Sequence, residues 1–362
     1  MNDPGEEHQE AASPSLGERL HSSWQQTTIR GLRVALGTGL SLVFLWLAFR
    51  DVPPSQVIAI LNQADYRFVA LALVLVLISP LARAARWRLL YHPDEDGLSY
   101  FRLAEVLLIG QMLNIAAPAR LGEVARIYLM SRVENRSRAR TLGTIVVEKW
   151  LDILMLLLLV LLVPMFVSPP PWFRDPRRGL AILATAFLVT AMILSCGKDR
   201  LFSLVGSLSR FLPRSWRVRI QQEVERAMGC LDPLRSPWVG FRLQGWALFI
   251  WVLSILVNYV LFLAFGLPLS LTAALFLLAV LQVGVAVPSV PGKLGVFYCV
   301  CPLALAPFGV EKSAALSYAV LLYFVVFGPP LLLGALFLWW ESVQERRVEP
   351  AAWSRPCPGE PH

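Results

Sequence analysis

Two apolar stretches of this chain are interrupted in the same way, by a proline that is followed two residues later by a basic residue. The first contains PARLG from Pro118 to Gly122, and the second contains PGKLG from Pro291 to Gly295. A proline inside a helix costs about 3 kcal/mol and drives the preceding residue out of the helical region. Each stretch is therefore predicted to form two short helices that meet at a tip. The repetition predicts a chain built from two similar halves.

The composition around these motifs is that of a multi-pass membrane protein. Of the 362 residues, 56% are hydrophobic and 16% are charged, which is far more apolar than a soluble domain. The net charge of +8 is therefore interpreted by the side of the bilayer on which the bases lie, and nucleic-acid binding is excluded. The scattered cysteines predict neither a disulfide framework nor a metal site, and no cofactor is expected.

Six segments are long and apolar enough to cross a bilayer, since about 20 helical residues span its ~30 Å of hydrocarbon. The two proline-broken stretches, residues 101–133 and 271–306, have arms too short for a full crossing. They are predicted to be re-entrant hairpins. The predicted spans are residues 31–49, 68–90, 144–167, 179–195, 241–265 and 313–340.

The spans and hairpins divide into halves at residues 31–167 and 179–340. Phe68 lies 50 residues before Pro118, and Phe241 lies 50 residues before Pro291. Each half has three spans, an odd number, so the second half must enter the membrane upside down. The predicted fold is an all-α polytopic membrane protein, an inverted repeat of three spans plus one re-entrant helical hairpin per half.

The polar segments are predicted to lie in the cytoplasm. Residues 1–30 are expected to form a disordered tail and residues 341–362 a second tail. Residues 196–240 contain apolar side chains at helical spacing, which is typical of an amphipathic helix on a membrane surface. Lysine and arginine concentrate in the predicted inner segments, so both termini are placed inside. The predicted outer loop that contains Arg174, Arg177 and Arg178 is an exception.

The hairpin tips are the best candidates for a substrate site. After each proline a new helix begins, and its free N–H groups and dipole favour an anion such as phosphate. Arg120 and Lys293 lie where they can bind that anion. The alternatives are that Arg120 only pairs with Glu123, and that Asn114 only bonds between helices. The candidate substrate-binding residues are Arg120, Lys293, Gly122, Gly295 and Asn114.

A second group of charges lies at the start of the third span. Glu148 and Asp152 are four residues apart on one helix face, where like charges repel, so a cation should lie opposite them. Arg120, Arg126 or Lys149 can serve, and Arg126 is our choice. The functional interpretation is an ion-pair network or a proton-responsive carboxylate, and the alternative is a water-exposed cluster at the interface. The residues given this role are Glu123, Arg126, Glu148 and Asp152.

Other charges have simpler interpretations. Arg83, Arg86 and Arg88 end the second span and are expected to reach the headgroups by snorkelling. The acidic run 94–96 after His92 resembles a metal-binding cluster, but a solvated turn is favoured.

A family resemblance is carried by four segments: ARWRLL from Ala85, PARLGEVARIYLM from Pro118, VVEKWLD from Val146 and VPSVPGKLGVF from Val287. They resemble the flippase-like integral membrane family, of UPF0104 type, related to the transmembrane region of lysylphosphatidylglycerol synthase. The resemblance covers about residues 30–340 and implies a bacterial inner-membrane protein that moves a lipid between leaflets. The family's charged positions correspond to Arg120, Glu123, Arg126, Glu148 and Asp152.

The second hairpin departs from the family pattern. A glycine pair followed by a later glutamate is usual there, whereas Lys293 and Tyr298 stand in this chain. The departure argues against a proton step at that acid and favours a more anionic substrate. The synthase domain is not expected after Trp340.

These observations predict a transporter that translocates an anionic lipid, either a phospholipid or a polyprenyl-phosphate-linked lipid, through a midplane phosphate site. Its partners would be membrane lipids with phosphate headgroups, and an enzyme is not expected. One alternative is a membrane-embedded transferase with Mg²⁺ near Asp94. Another is a scaffold that uses residues 196–242 to hold partners at the membrane.

Overall fold

The computed structural model describes residues 52–117, 121–134, 136–166, 236–286 and 294–353, together with Ile182 and Thr185. Every regular element in these ranges is helical, which confirms the all-α class. The helices are α1 (Pro54–Asn62), α2 (Tyr66–Leu89), α3 (Tyr100–Ala116), α4 (Leu121–Val133), α5 (Arg138–Phe166), α6 (Pro237–Ala264), α7 (Leu271–Ala286), α8 (Leu294–Leu305) and α9 (Lys312–Trp353), with a short 3₁₀ helix at Ala306–Phe308.

Three of the described helices are long and apolar enough to cross a membrane: Tyr66–Leu89, Trp238–Ala264 and Lys312–Glu341. They correspond to the predicted spans 68–90, 241–265 and 313–340. The predicted spans 31–49 and 179–195 lie outside the described residues, apart from Ile182 and Thr185. So do the tail 1–30 and most of the amphipathic segment 196–240.

One helix and two helix boundaries differ from the sequence prediction. The short helix α1 was not predicted. It begins at Pro54, a favoured first helical residue, and Val57 is buried. Helix α5 starts at Arg138 rather than at residue 144. Helix α9 continues to Trp353 instead of giving way to a tail at residue 341, because the glutamate, glutamine and arginine residues after Trp340 are good helix formers.

The first proline-broken stretch forms two separate helices. Helix α3 ends at Ala116, and Ala117 takes an extended conformation with φ −107° and ψ 146°, as expected before a proline. Helix α4 begins at Leu121. In the second stretch α7 ends at Ala286 and α8 begins at Leu294.

Helices α2 and α6 pack side by side in antiparallel directions. The amide of Asp65, before α2, donates to the carbonyl of Ala264 at the end of α6 at 2.8 Å. Helix α9 runs antiparallel to α3, since Arg102 near the start of α3 lies 3.8 Å from Glu341 and Gly334 contacts the backbone at Leu108. Helices α2, α6 and α9 contribute buried residues to one apolar cluster, and α2, α3 and α6 contribute to a second.

Candidate functional site

A buried network of two arginines and two carboxylates joins helices α2, α4 and α5. Arg86 of α2 donates through Nη1 to Oδ1 of Asp152 at 2.7 Å and through Nη2 to Oε1 of Glu148 at 3.5 Å. Arg126 of α4 donates through Nη2 to Oε2 of Glu148 at 2.6 Å. Arg86 is 1% exposed and Glu148 is 3% exposed. Glu148 is therefore enclosed between two guanidinium groups.

Trp87 supports this network from the side of α2. The guanidinium of Arg126 lies 4.1 Å from the centroid of the Trp87 ring, a favourable cation–π distance. The indole N–H donates to Oγ1 of Thr144 on α5 at 3.1 Å. Trp87 thus contacts both α4 and α5, and its indole N–H has a hydrogen-bond partner.

The position of Arg126 depends on the close approach of α3 and α4. A Cβ on Gly122 would lie 1.9 Å from the carbonyl oxygen of Gly110, and a Cβ on Gly110 would lie 2.8 Å from Cγ of Arg126. The backbone amide of Gly122 donates to Oδ1 of Asn114 at 2.8 Å. Two glycines and one asparagine therefore hold the two arms of the first hairpin together.

A second ion pair lies beside the network. Nζ of Lys149 is 3.6 Å from Oε1 of Glu123, and the side chains are 50% and 23% exposed. This pair joins α4 to α5 in a more open environment than Glu148 occupies. The long distance and the exposure make it a weak interaction.

A cavity of about 430 Å³ opens next to these charges. It lies among α2, α3, α5, α6, α7, α8 and α9. The two halves of the chain, residues 31–167 and 179–340, therefore both contribute to its walls. One side carries Arg83, Lys149 and Asp152. The remaining lining includes four side-chain amides, Gln111, Asn114, Asn258 and Gln282, and an apolar wall formed by Leu75, Val76, Trp251, Val257, Leu278, Leu281, Phe297, Leu322, Val326 and Phe327.

Arg83 differs from its neighbour Arg86 on the same helix. The Nε of Arg83 donates to Oγ of Ser79 at 3.3 Å. Arg83 and Ser79 both line the cavity. Among the described residues Arg83 forms no ion pair with a carboxylate. Arg83 therefore keeps donors that can bind a molecule in the cavity.

The predicted site residues fall into two groups. Arg120 and Lys293 lie outside the described residues, so their role at the tips stays a prediction. Gly122 and Asn114 are bonded to each other, and Asn114 also lines the cavity. Gly295 is buried in the first turn of α8.

The four residues assigned to ion pairing are brought together. Arg126 lies opposite Glu148, whereas Asp152 is bonded by Arg86 and Glu123 by Lys149. Glu148 is buried, so the interpretation of a water-exposed cluster does not hold for this side chain, whereas Lys149 is half exposed.

Sequence reasoning missed Arg86 and Trp87. Snorkelling was expected for Arg86, and that expectation is wrong because the side chain is buried and paired with two carboxylates. Their spacing along the chain could not indicate this ion pair, since Arg86 and Glu148 are 62 positions apart. The sequence did contain one indication. Glu148 and Asp152 place two carboxylates on one face of α5, and two carboxylates need more than one cation.

The acidic turn after α2 is engaged by arginines. Arg140 donates to the carboxylate of Asp94 and to the carbonyl of Tyr91 at 2.7 Å, while Arg136 donates to the carbonyl of Asp96 at 2.9 Å. The hydrogen bond from Arg140 and its charge lower the pKa of Asp94. Within the described ranges no three metal-ligating side chains converge.

Comparison with known proteins adds a family. The family model described as the transmembrane region of lysylphosphatidylglycerol synthase matches residues 34–334. This confirms the resemblance drawn from the four sequence segments.

Three relatives illustrate the family's range. A UPF0104 membrane protein of Pyrococcus horikoshii is 25% identical over 85% of this chain and 96% of its own length. A UPF0104 membrane protein of Methanocaldococcus jannaschii is 23% identical over 82% of this chain and 91% of its own. Glycosyltransferase AglD of Haloferax volcanii is 26% identical over 84% of this chain, which spans 55% of that relative. These relatives are archaeal, so a bacterial origin stays a prediction.

Proposed function

The chain belongs to the family of the lysylphosphatidylglycerol synthase transmembrane region, and from this premise we propose that it translocates an anionic lipid between the two leaflets of a membrane. The observation that carries the proposal is the cavity of about 430 Å³, which combines an apolar wall with a cationic and amide-lined side. A lipid needs both surfaces, one for its chains and one for its charged headgroup.

The cost of the polar groups favours a transport function over a structural one. A charged side chain at the centre of a bilayer costs about 2.5–3.5 kcal/mol on insertion scales, and such residues commonly mark substrate pathways. The cavity places Arg83 and Lys149 near the amides of Asn114 and Gln282. A phosphate headgroup can accept hydrogen bonds from all of these groups.

The packing of the helices supports the proposed inverted repeat. Helix α2 packs on α3 as α6 packs on α7, and α3 packs on α4 as α7 packs on α8. Helix α3 contacts α9 as α7 contacts α5, and α4 contacts α5 as α8 contacts α9. If α2, α3, α4 and α5 are replaced in order by α6, α7, α8 and α9, and the reverse, these contacts between helices are reproduced. The antiparallel pair α2 and α6 would lie at the pseudo-twofold axis.

In this proposal the two hairpins are re-entrant, and their tips, with Arg120 and Lys293, bind the phosphate near the middle of the bilayer. Alternating exposure of the cavity to the two leaflets then moves the headgroup. Both termini lie in the cytoplasm, and the membrane is the cytoplasmic membrane.

A transferase has weaker support. One relative is named a glycosyltransferase, but the chain spans only 55% of it. The carboxylate of Asp94, on which a Mg²⁺ site was based, is bonded by Arg140. The relative's name does suggest that a sugar-bearing lipid is among the candidate substrates.

Transport can be tested in proteoliposomes with fluorescent lipids that are quenched from outside. We expect faster loss of fluorescence for phosphatidylglycerol or a polyprenyl phosphate than in protein-free vesicles. Ser254→Trp, which fills the cavity, should abolish the difference. Leu248→Trp on the exposed face of the same helix should retain it. A wild-type protein that moves none of these lipids would refute the proposal.

The hairpin tips require their own variants. Arg120→Gln and Lys293→Gln should each slow transport, because each removes a cation from the proposed phosphate site. Unchanged rates in both variants would remove the tips from the mechanism and leave the cavity as the binding site.

A further inference from the structure

The charges around the cavity do not balance. Arg86, Arg126, Glu148 and Asp152 form a closed network of two cations and two anions. Lys149 and Glu123 form a further pair. Arg83 is the remaining charged group on this side of the cavity and gives the described cluster an excess of one positive charge.

We infer that Arg83, together with Lys149, forms a phosphate-binding subsite on the α2 and α5 side of the cavity, built from other residues than the proposed site of Arg120 and Lys293. The inference rests on the proposed function and assigns its headgroup chemistry, a phosphate ester with a net negative charge. Arg83 supplies a planar fork of donors, and Lys149 supplies a second positive charge.

The bonding of Arg83 supports a ligand-binding role over a structural one. Arg86 is bonded to two carboxylates, so its charge is compensated by the protein. The hydrogen bond from Arg83 goes to the hydroxyl of Ser79, which is neutral and does not compensate the charge of Arg83. An anion in the cavity would supply the compensating negative charge.

The depth of the subsite fits a headgroup that enters from one leaflet. Arg83 lies six residues before Leu89, the end of α2, or about 9 Å along the helix. Asn114 lies near the end of α3 and faces the same cavity. A phosphate bound at Arg83 would therefore lie about 9 Å from the end of α2, in a cavity that Asn114 also lines.

Lys149 can contribute without breaking the buried network. Its side chain is half exposed and its ammonium lies 3.6 Å from Glu123, so a phosphate can replace this weak interaction. Asp152 lies on the same wall, but its carboxylate accepts a 2.7 Å hydrogen bond from Arg86, which offsets its repulsion of an anion.

The subsite is tested by binding of short-chain lipids to the purified full chain in detergent. The probes are dioctanoyl phosphatidylglycerol, dioctanoyl phosphatidylcholine and inorganic phosphate, with affinity measured by microscale thermophoresis. Arg83→Gln should weaken phosphatidylglycerol binding about 10- to 100-fold, as expected for loss of charge-assisted hydrogen bonds. Arg83→Lys should restore part of it. Arg242→Gln is the matched control, because it removes an exposed arginine outside this cavity.

The probes distinguish the recognised chemistry. Competition by inorganic phosphate that depends on Arg83 supports recognition of the phosphate group itself. Phosphatidylglycerol binding that depends on Arg83 without such competition supports a site that also requires the lipid. Equal affinity of Arg83→Gln and wild type, or an equal loss in Arg242→Gln, overturns the subsite. Thermal unfolding of each variant separates a binding defect from misfolding.

The same variants reconstituted in proteoliposomes separate this inference from the proposed function. A wild-type protein that transports phosphatidylglycerol while Arg83→Gln transports it with unchanged half-saturation would overturn the subsite alone. Binding that depends on Arg83 without transport by the wild type would support the subsite and refute the transport function.

Discussion

Glu148 is the residue on which the buried network depends, because among the described residues it alone accepts hydrogen bonds from both Arg86 and Arg126. Glu148→Gln leaves two guanidinium groups facing an uncharged amide. Removing one partner of a buried ion pair costs about 3–5 kcal/mol. We expect a large fall in the thermal unfolding temperature, measured in detergent by intrinsic tryptophan fluorescence.

Asp152→Asn is the comparison for that variant. The Asp152 side chain is 27% exposed, against 4% for Glu148, and water in the cavity can solvate part of the change. Its loss of stability should therefore be smaller than that of Glu148→Gln. The opposite order would show that Asp152, and not Glu148, holds the network together.

The pair Asp94 and Arg140 predicts a small dependence of stability on pH. The pKa of Asp94 is lowered in the folded protein from its ordinary value of 3.8. The pair therefore stabilises the fold above about pH 4, and the contribution is lost as the pH falls through the lowered value. Because the Asp94 side chain is 59% exposed, the effect should stay within about 1 kcal/mol.

Unfolding curves of wild type and Asp94→Asn at several pH values between 6 and 3 measure this effect. The difference between the two proteins should be largest at pH 6 and should shrink toward pH 3. A constant difference would show that the stabilisation does not depend on the charge of the Asp94 carboxylate.

Individual residues were predictable where a local pattern places them. The spacing of Glu148 and Asp152 predicts a shared face and a facing cation, and the structure places Arg126 at 2.6 Å from Glu148. Arg86 was not predictable in this way, because an arginine at the end of an apolar helix can snorkel or turn inward with the same sequence around it. Helix packing decides between the two, and that information is not local.

At the scale of elements, the first hairpin depends on the absence of side chains at its crossing. Gly122→Ala would place a Cβ 1.9 Å from the Gly110 carbonyl oxygen, and a backbone atom cannot move aside as a flexible side chain can. We expect a loss of stability of more than about 1 kcal/mol, because α4 must shift away from α3. Arg126 would move with α4, so transport should also fall.

Gly240→Ala is the matched control for that variant. A Cβ at this position in α6 meets nothing within 4 Å, and alanine is favoured over glycine in a helix by roughly 0.5–1 kcal/mol. The variant should therefore be as stable as wild type or slightly more stable. A similar loss in both variants would contradict the crowding argument.

The elements themselves were largely predictable. Long apolar segments predicted α2, α6 and the apolar part of α9, and Pro118 predicted the break after α3. Apolar length and proline both act on the nearby chain, so each can be recognised from local sequence. Helix α1 was missed because nine residues are too few to show a clear hydrophobic period. It is held by tertiary contacts, including a hydrogen bond from Ser317 to the carbonyl of Val57 at 3.3 Å.

At the scale of the whole molecule, the helix directions predict which loops share a side of the membrane. Helix α2 is antiparallel to α6, so the loop after α2 and the loop after α6 lie on opposite sides. In a cysteine-free background, Glu95→Cys should react with a membrane-impermeant maleimide only from the cytoplasmic side. Ser270→Cys, in the exposed loop before α7, should react only from the other side.

Labelling of both positions from one side would contradict the antiparallel arrangement and with it the inverted repeat. Labelling on opposite sides but in the reverse sense would preserve the repeat and reverse the assignment of the termini. The two results are distinguished by sealed vesicles of known orientation.

The ion pairs of Arg86 also constrain the order of events during synthesis. Its partner Glu148 is 62 residues further along the chain, and at roughly 5–20 residues per second the ribosome needs about 3–12 s to produce it. We expect helix α2 to enter the bilayer before the carboxylates of α5 have been synthesised. During that interval Arg83 and Arg86 are stabilised by the headgroups and water at the end of the helix. We therefore expect the insertion of α5 to bring Arg86 into its ion pairs, a late step in which this arginine exchanges water and headgroups for the carboxylates of Glu148 and Asp152.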